Sequence, residues 1–225
     1  MKKLIIISLF AGIFLSGCIT AKKFKTIVND RTTITVKSDS SSYSDNFIKI
    51  KVSDAILTQF SETQVKKTGS YFVPAILYWG WNHAFICNMQ SDFAVNNFTK
   101  TIKAKAHEYN AKQIFQDKTL EIEIEKLPLQ FIYRDYGHII YYIYGYSYIY
   151  NEYIKMLDNS EMIVKYSIIK NNEIQKTDSL KINFNTAASN PAYSTKKLIN
   201  TFIDNLTTDC NHVSGWILER IIDDL

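Results

Sequence analysis

Apolar and polar side chains alternate with a period of two over much of this 225-residue chain, and that period commits it to sheet. Successive side chains of a strand point to opposite faces, so each such run sets one face against a core and leaves the other wet. Leu120, Ile122 and Ile124 alternate with Glu121, Glu123 and Glu125. Three acids on one face look like a catalytic cluster, but alternation explains them as the solvated side of a strand. Ile48, Ile50 and Val52 alternate with Lys49 and Lys51, and Thr32, Ile34 and Val36 with Thr33, Thr35 and Lys37. Both read as half-buried strands, with a Ser- and Asp-rich turn or loop over residues 38–46 between them. Residues 71–81 are apolar throughout and contain Pro74, which has no N–H for a ladder, so they read as an edge or irregular strand. Residues 83–89 read as the next strand. Residues 161–169 and 174–184 read as two more, joined at Asn171-Asn172, because Asn tolerates the left-handed backbone of a tight hairpin.

Three stripes break the period of two. Val95, Phe98, Ile102, Ala106 and Tyr109 recur at helical spacing, with Ser91 as a plausible N-cap and Asp92 suited to the positive end of the helix dipole. Near the C-terminus, Leu198, Ile199, Phe202, Ile203 and Leu206 form one stripe and Val213, Trp216, Ile217, Ile221 and Ile222 another, with a break expected at residues 207–211. The order predicts an α+β fold: a largely antiparallel sheet with a mid-chain helix and C-terminal helices packed on one face. No repeat or internal linker divides residues 31–225, so they read as one domain.

Residues 138–153 carry most of the aromatic character. Taken as one strand, Tyr142, Tyr144, Tyr146, Tyr148 and Tyr150 share a face, opposite Tyr141, Ile143, Gly145, Ser147 and Ile149. A tyrosine pairs a broad apolar ring with a hydroxyl that wants a partner. The row therefore reads either as an inner layer beneath the helices or as a binding face for a glycan, a lipid headgroup or a partner protein. Gly145 and Ser147 leave a flat strip on the other side, open to close approach.

The N-terminus is of a different kind. Lys2 and Lys3 precede an apolar run over residues 4–15, the layout of a secretory signal, and that run is too short for the ~20 apolar residues of a spanning helix. The tetrad Leu15-Ser16-Gly17-Cys18 resembles the bacterial lipobox. That resemblance implies removal of residues 1–17 and acylation of Cys18, which then holds the protein on a membrane through acyl chains. One chain anchors only reversibly and two or more anchor stably. Residues 18–30, with Lys22, Lys23 and Lys25, read as a lipidated N-terminus and short polar tether. Ile rather than Asp at position 19 implies, by resemblance to lipoprotein sorting, the periplasmic leaflet of an outer membrane.

Removing residues 1–17 takes two lysines, leaving 24 basic against 22 acidic residues and a net charge of +2. That surplus is no nucleic-acid footprint. With Cys18 acylated, Cys87 and Cys210 remain, either as a disulfide in an oxidising compartment or as two buried free thiols. His83, His107, His138 and His212 are dispersed and match no zinc-ligand spacing; His83 and Cys87, four apart, are two ligands and not a site. Ser214 lacks the glycine-flanked turn of a nucleophile elbow, and Asp135 and Asp158 read as loop residues. No metal, cofactor or enzymatic chemistry is therefore expected. The lipobox, the α+β domain, the mid-chain helix and the C-terminal helix together loosely resemble the auxiliary lipoproteins of ABC-type envelope transport systems. The resemblance implies a non-catalytic accessory or binding component of an envelope protein complex. The alternatives are a glycan-binding lipoprotein that uses the tyrosine face, and a hydrolase.

Overall fold

The computed structural model describes residues 19–37, 47–54, 56, 62–158, 160–189 and 194–225. Their order is α1 (Ala21–Lys37), β1 (Ile48–Val52), β2 (Gln64–Pro74), β3 (Tyr78–Asn88), α2 (Ser91–Glu108), α3 (Ala111–Phe115), β4 (Lys118–Lys126), β5 (Gln130–Tyr142), β6 (Gly145–Met156), β7 (Glu161–Lys170), β8 (Glu173–Asn183), β9 (Ala187–Ser189) and α4 (Thr195–Asp223). The fold is α+β, with two mostly antiparallel sheets where the sequence suggested one. The four-stranded sheet runs β1-β4-β7-β8 and the five-stranded sheet β2-β3-β5-β6-β9. Among the described strands only β1 and β4 pair in parallel.

The two sheets are joined by the chain itself. The chain passes from one sheet to the other at residues 127–129, between Met156 and Glu161, and at residues 184–186. Leu127, Leu129 and Phe184 are buried in these crossings, which are stitched by Phe184 N–H to Ser160 O at 2.8 Å and Met156 N–H to Thr186 O at 2.9 Å. The helices then cover both sheets. Phe202 of α4 packs on Phe131 of the five-stranded sheet with ring centroids 4.8 Å apart, while Tyr166 of the four-stranded sheet donates to Asp224 just past the end of α4. A helix of 29 residues is about 44 Å long, enough to bridge the two. α2 lies alongside α4 in the same direction, tied by Thr101 to Asn211 at 2.8 Å and Tyr109 to Glu219 at 2.7 Å. Gly215 of α4 faces the Tyr109 hydroxyl and the Lys105 stem.

Several strands stand where alternation puts them. Leu120, Ile122 and Ile124 are fully buried, and Glu121, Glu123 and Glu125 line the wetter side. Asn171 and Asn172 both take positive φ, 52° and 63°, and close the β7–β8 hairpin. Residues 71–81 are not one strand. Pro74 ends β2, which is the edge strand, and Ala75 N–H bonds to Tyr78 O to turn the chain into β3.

The largest departure is at residues 32–36, which are helix and not strand. Phe24, Val28 and Thr32 recur every four residues and are all fully buried, so one helical face fills the core; the Thr32 hydroxyl is satisfied by Val28 O at 3.0 Å. Burying a Phe or Val contributes about 1.5–3 kcal/mol, which outweighs the weaker local preference of Thr and Val for strand. The same helix removes most of the expected tether. Residues 19–30 are largely packed structure, with Ile19 in the core, and Cys18 lies outside the described residues. At the C-terminus α4 is unbroken. Thr207, Thr208 and Ser214 donate to the carbonyls of Ile203, Asp204 and Cys210 one turn back, so the polar stretch satisfies itself within the helix. Ser91 is not the cap of α2; Gln90 holds that position without a side-chain bond, and Ser91 is buried in the first turn.

Candidate functional site

β5 and β6 do not form the single tyrosine-bearing strand that alternation suggested. They are the arms of a hairpin turned at Ile143 and Tyr144, with Tyr142 opposite Gly145, Tyr141 opposite Tyr146, Ile139 opposite Tyr148 and Gly137 opposite Tyr150. Residues directly opposite share a face. Tyr146, Tyr148 and Tyr150 therefore stay together and are joined by Tyr141, which period two had set on the other side. Tyr142 moves to the opposite face, and Tyr144 sits at the turn, 99% exposed. The five-tyrosine row does not form, because a two-residue turn reverses the chain in its middle.

A broader feature takes its place. The β2–β3 and β5–β6 hairpins lie side by side, tied at their ends by Tyr141 N–H to Leu77 O at 2.9 Å. Residues 71–82 and 136–151 thus form a four-stranded paddle that extends past the helices. One face carries Phe72, Trp79, Trp81, Tyr141, Tyr146, Tyr148 and Tyr150 in ring contact. Trp79 meets Tyr141 edge-on at 5.9 Å, Trp81 stacks on Tyr148 at 6.3 Å, and Tyr148 lies parallel to Tyr150 at 6.3 Å. The other face carries Tyr78 stacked on His138 at 5.8 Å, with Tyr71, Val73, Tyr142 and Ile149 exposed around them. At the tip Ile76 is 96% and Ile143 91% exposed. Those 28 residues contain no Asp, Glu, Lys or Arg, where the chain's 21% charge would place about six, and twelve of them are aromatic. Contiguous exposed apolar surface of this kind marks an interaction site. The sequence does hold a signal for it, two uncharged aromatic windows, but only the strand pairing brings the windows together.

The paddle starts at a polar row across the sheet. His83, Asp135 and Glu152 are directly opposite one another on β3, β5 and β6, all on the core-facing side. Asp135 and Glu152 are buried; Asp135 accepts from Trp81 Nε1 at 2.9 Å, and Glu152 Oε1 from Tyr133 at 2.9 Å and from the Thr195 hydroxyl. Gly137 makes the tryptophan contact possible, since the indole of Trp81 lies where a Cβ would stand, 2.6 Å away, and Ile149 O would be 2.4 Å away. This close approach falls at Gly137 rather than at Gly145, which faces open space. Burial, and after it the charges of Asp135 and Glu152, push the Tyr150 hydroxyl well above the ordinary tyrosine range; Tyr133 is raised by burial and by the same two acids. The expectation of Asp135 as a loop residue is thereby corrected: it is the centre of a buried strand row.

The row has the residue types of a proton relay without its geometry. His83 Nδ1 lies 3.8 Å from Asp135 Oδ2, beyond hydrogen-bond range, and it and Glu152 Oε2 are buried without a hydrogen-bond partner. Ser70 stands opposite His83 on the exposed edge strand β2. Cys87 and Cys210 are free thiols, so no bridge joins them; burial raises both, Cys210 to about 12, and each behaves as a small apolar group. Among the described residues no group of three or more His, Cys, Asp or Glu could hold a metal ion, and no helix is long and apolar enough to cross a membrane.

In comparison with known proteins, no family model, no curated protein and no solved structure matches the chain.

Proposed function

We propose that this protein is a lipid-anchored, non-catalytic binding component of the bacterial cell envelope, and that the aromatic paddle is its contact element. The observation that carries the reading is the uncharged, exposed paddle itself, set beyond a helix-covered core and presenting apolar groups on two faces and at its tip. The lipobox-like Leu15-Ser16-Gly17-Cys18 supports the anchor. A role as accessory to an envelope complex is in keeping with both. The glycan alternative loses support from the split of the tyrosine row. Sugars are held by rings flanked by directional polar side chains, and the outer paddle offers few besides the tyrosine hydroxyls themselves.

Two measurements test it. Fatty-acid labelling in bacteria should mark the wild type and not Cys18→Ser; label that persists on the variant removes the anchor. A photo-crosslinking residue at Tyr144, in cells, should give an adduct that one at Glu173 does not. Absence of any adduct at Tyr144 would mean that the paddle is not the contact element, whatever the partner.

A further inference from the structure

Resting on the reading of an acylated Cys18, we infer that the partner of the paddle is the lipid bilayer itself: the hairpin tips enter the headgroup and upper acyl zone of the membrane that holds the anchor. Three independent features point there.

The first is chemical layering. Aliphatic Ile76, Leu77 and Ile143 stand at the tip, and tyrosines and tryptophans fill the strands behind it on both faces. Trp and Tyr concentrate at membrane–water interfaces because one end of the side chain is apolar and the other wet. A protein partner would cover one sheet face and leave the other polar, whereas this paddle is uncharged on both. The depth is limited by the backbone. Among the described strands, β2 and the part of β6 above Tyr153 lie at the edges of the sheet, and the backbone of an open sheet edge is not tolerated in hydrocarbon. The paddle therefore belongs at the interface, buried on the order of 5–10 Å like other interfacial elements.

The second is polarity of the helices. Thr195 meets Glu152 beside the paddle and Phe202 meets Phe131 deeper in the core, so α4 runs away from the paddle. Phe24 packs on Tyr133 at 4.9 Å, and Arg31 pairs with Asp204, beyond Phe202. α1 hence runs away from the paddle too. Followed back along that direction, its start and Ile19 before it point to the paddle side of Phe24, and Cys18 is bonded to Ile19. An anchor at Cys18 would therefore leave the domain at the end that carries the paddle.

The third is charge. α1 opens on Lys22 and Lys23, both exposed, with no acid in its first turn. Cations at a helix N-terminus oppose its dipole. Anionic phosphates at that end would offset the repulsion, and basic residues beside an anchor draw such lipids.

The test uses the acylated full chain carrying Ile143→Cys, labelled with the environment-sensitive dye NBD and reconstituted into phosphatidylethanolamine–phosphatidylglycerol vesicles free of other proteins. Cys87 is buried and its raised pKa keeps it from the label, and Cys210, half-buried, is replaced by Ser in every labelled variant. NBD at position 143 should shift to the blue and brighten on reconstitution, while NBD on Glu173→Cys, at the far turn, should keep its aqueous emission. Adding Ile76→Asp with Leu77→Asp should abolish the shift at 143 without altering the fold, since both side chains are largely exposed. A protein that floats with the vesicles but keeps aqueous emission at 143, or a shift that survives the acidic tip, overturns the inference and leaves the anchored reading standing. A protein that does not float brings down both.

Discussion

Tyr133 and Tyr146 stand on paired strands, on the same face of the same sheet, and are 1% and 70% exposed. Nothing in strand geometry separates them; what differs is what lies above. Over Tyr133 the sheet is covered by Phe24 of α1 and the first turn of α4, and the apolar face is core. Beyond His83, Asp135 and Glu152 the described helices end while the sheet continues, and the same face becomes an exposed surface whose rings cover one another. A polar row at the boundary, with Asp135 and Glu152 buried, does for the sheet what a cap does for a helix. It satisfies the hydroxyls at the rim of the core and fixes where the cover stops.

Truncation breaks the comparison most sharply. Phe131→Ala, in the covered half, should cost about 3–5 kcal/mol, and Tyr146→Ala, in the paddle, should stay within about 0.5 kcal/mol; thermal melts of the two variants side by side measure the contrast. Equal losses would mean that the paddle is core to some partner already present. Gly137→Ala acts at the boundary. Its Cβ would sit against Ile149 O and the Trp81 indole, and a cost of about 1–3 kcal/mol is expected for such overpacking, with a red shift in tryptophan emission as Trp81 leaves Asp135.

A smaller effect, of opposite sign, is expected at Glu152. Glu152→Gln keeps an acceptor for Tyr133 and Thr195 and removes one of two carboxyls that face each other across paired strands. Like charges directly opposite are unfavourable, so stability should rise by about 0.2–1 kcal/mol in urea denaturation. A large loss would show that the charge itself holds the row together. The smallest effect lies in the other sheet. Hydrogen bonds from Lys126 and Lys181 hold the Glu161 carboxyl below its usual value, and Tyr166 with Lys176 does the same for Asp224. A depressed folded pKa contributes stability above the ordinary carboxylate range, which is lost as pH falls through that range and below. The melting temperature should therefore fall below about pH 4, and less steeply in Glu161→Gln.

How much of this was legible in the sequence depends on how local the determining contacts are. Strand β4, the Asn171-Asn172 turn, the stripe of α2 and the α+β class follow from period, turn chemistry and helical spacing, all of which act within a few residues. Residues 32–36 read locally as strand because alternating Thr and Ile satisfy strand propensity, while Phe24, Val28 and Thr32 satisfy a helix only when a core awaits them. The 207–211 stretch reads locally as a break, yet polar residues can bond back to their own helix and keep it whole. Pairing decided the tyrosines. Period two assigns faces correctly along a strand, but a turn of two residues restarts the count, so Tyr141 joined Tyr146 and Tyr142 left. By itself the sequence determined that two windows carry aromatic rings and no charge. Tertiary structure decided that those windows lie together and that the described helices stop short of them, since both rest on contacts between residues far apart in the chain.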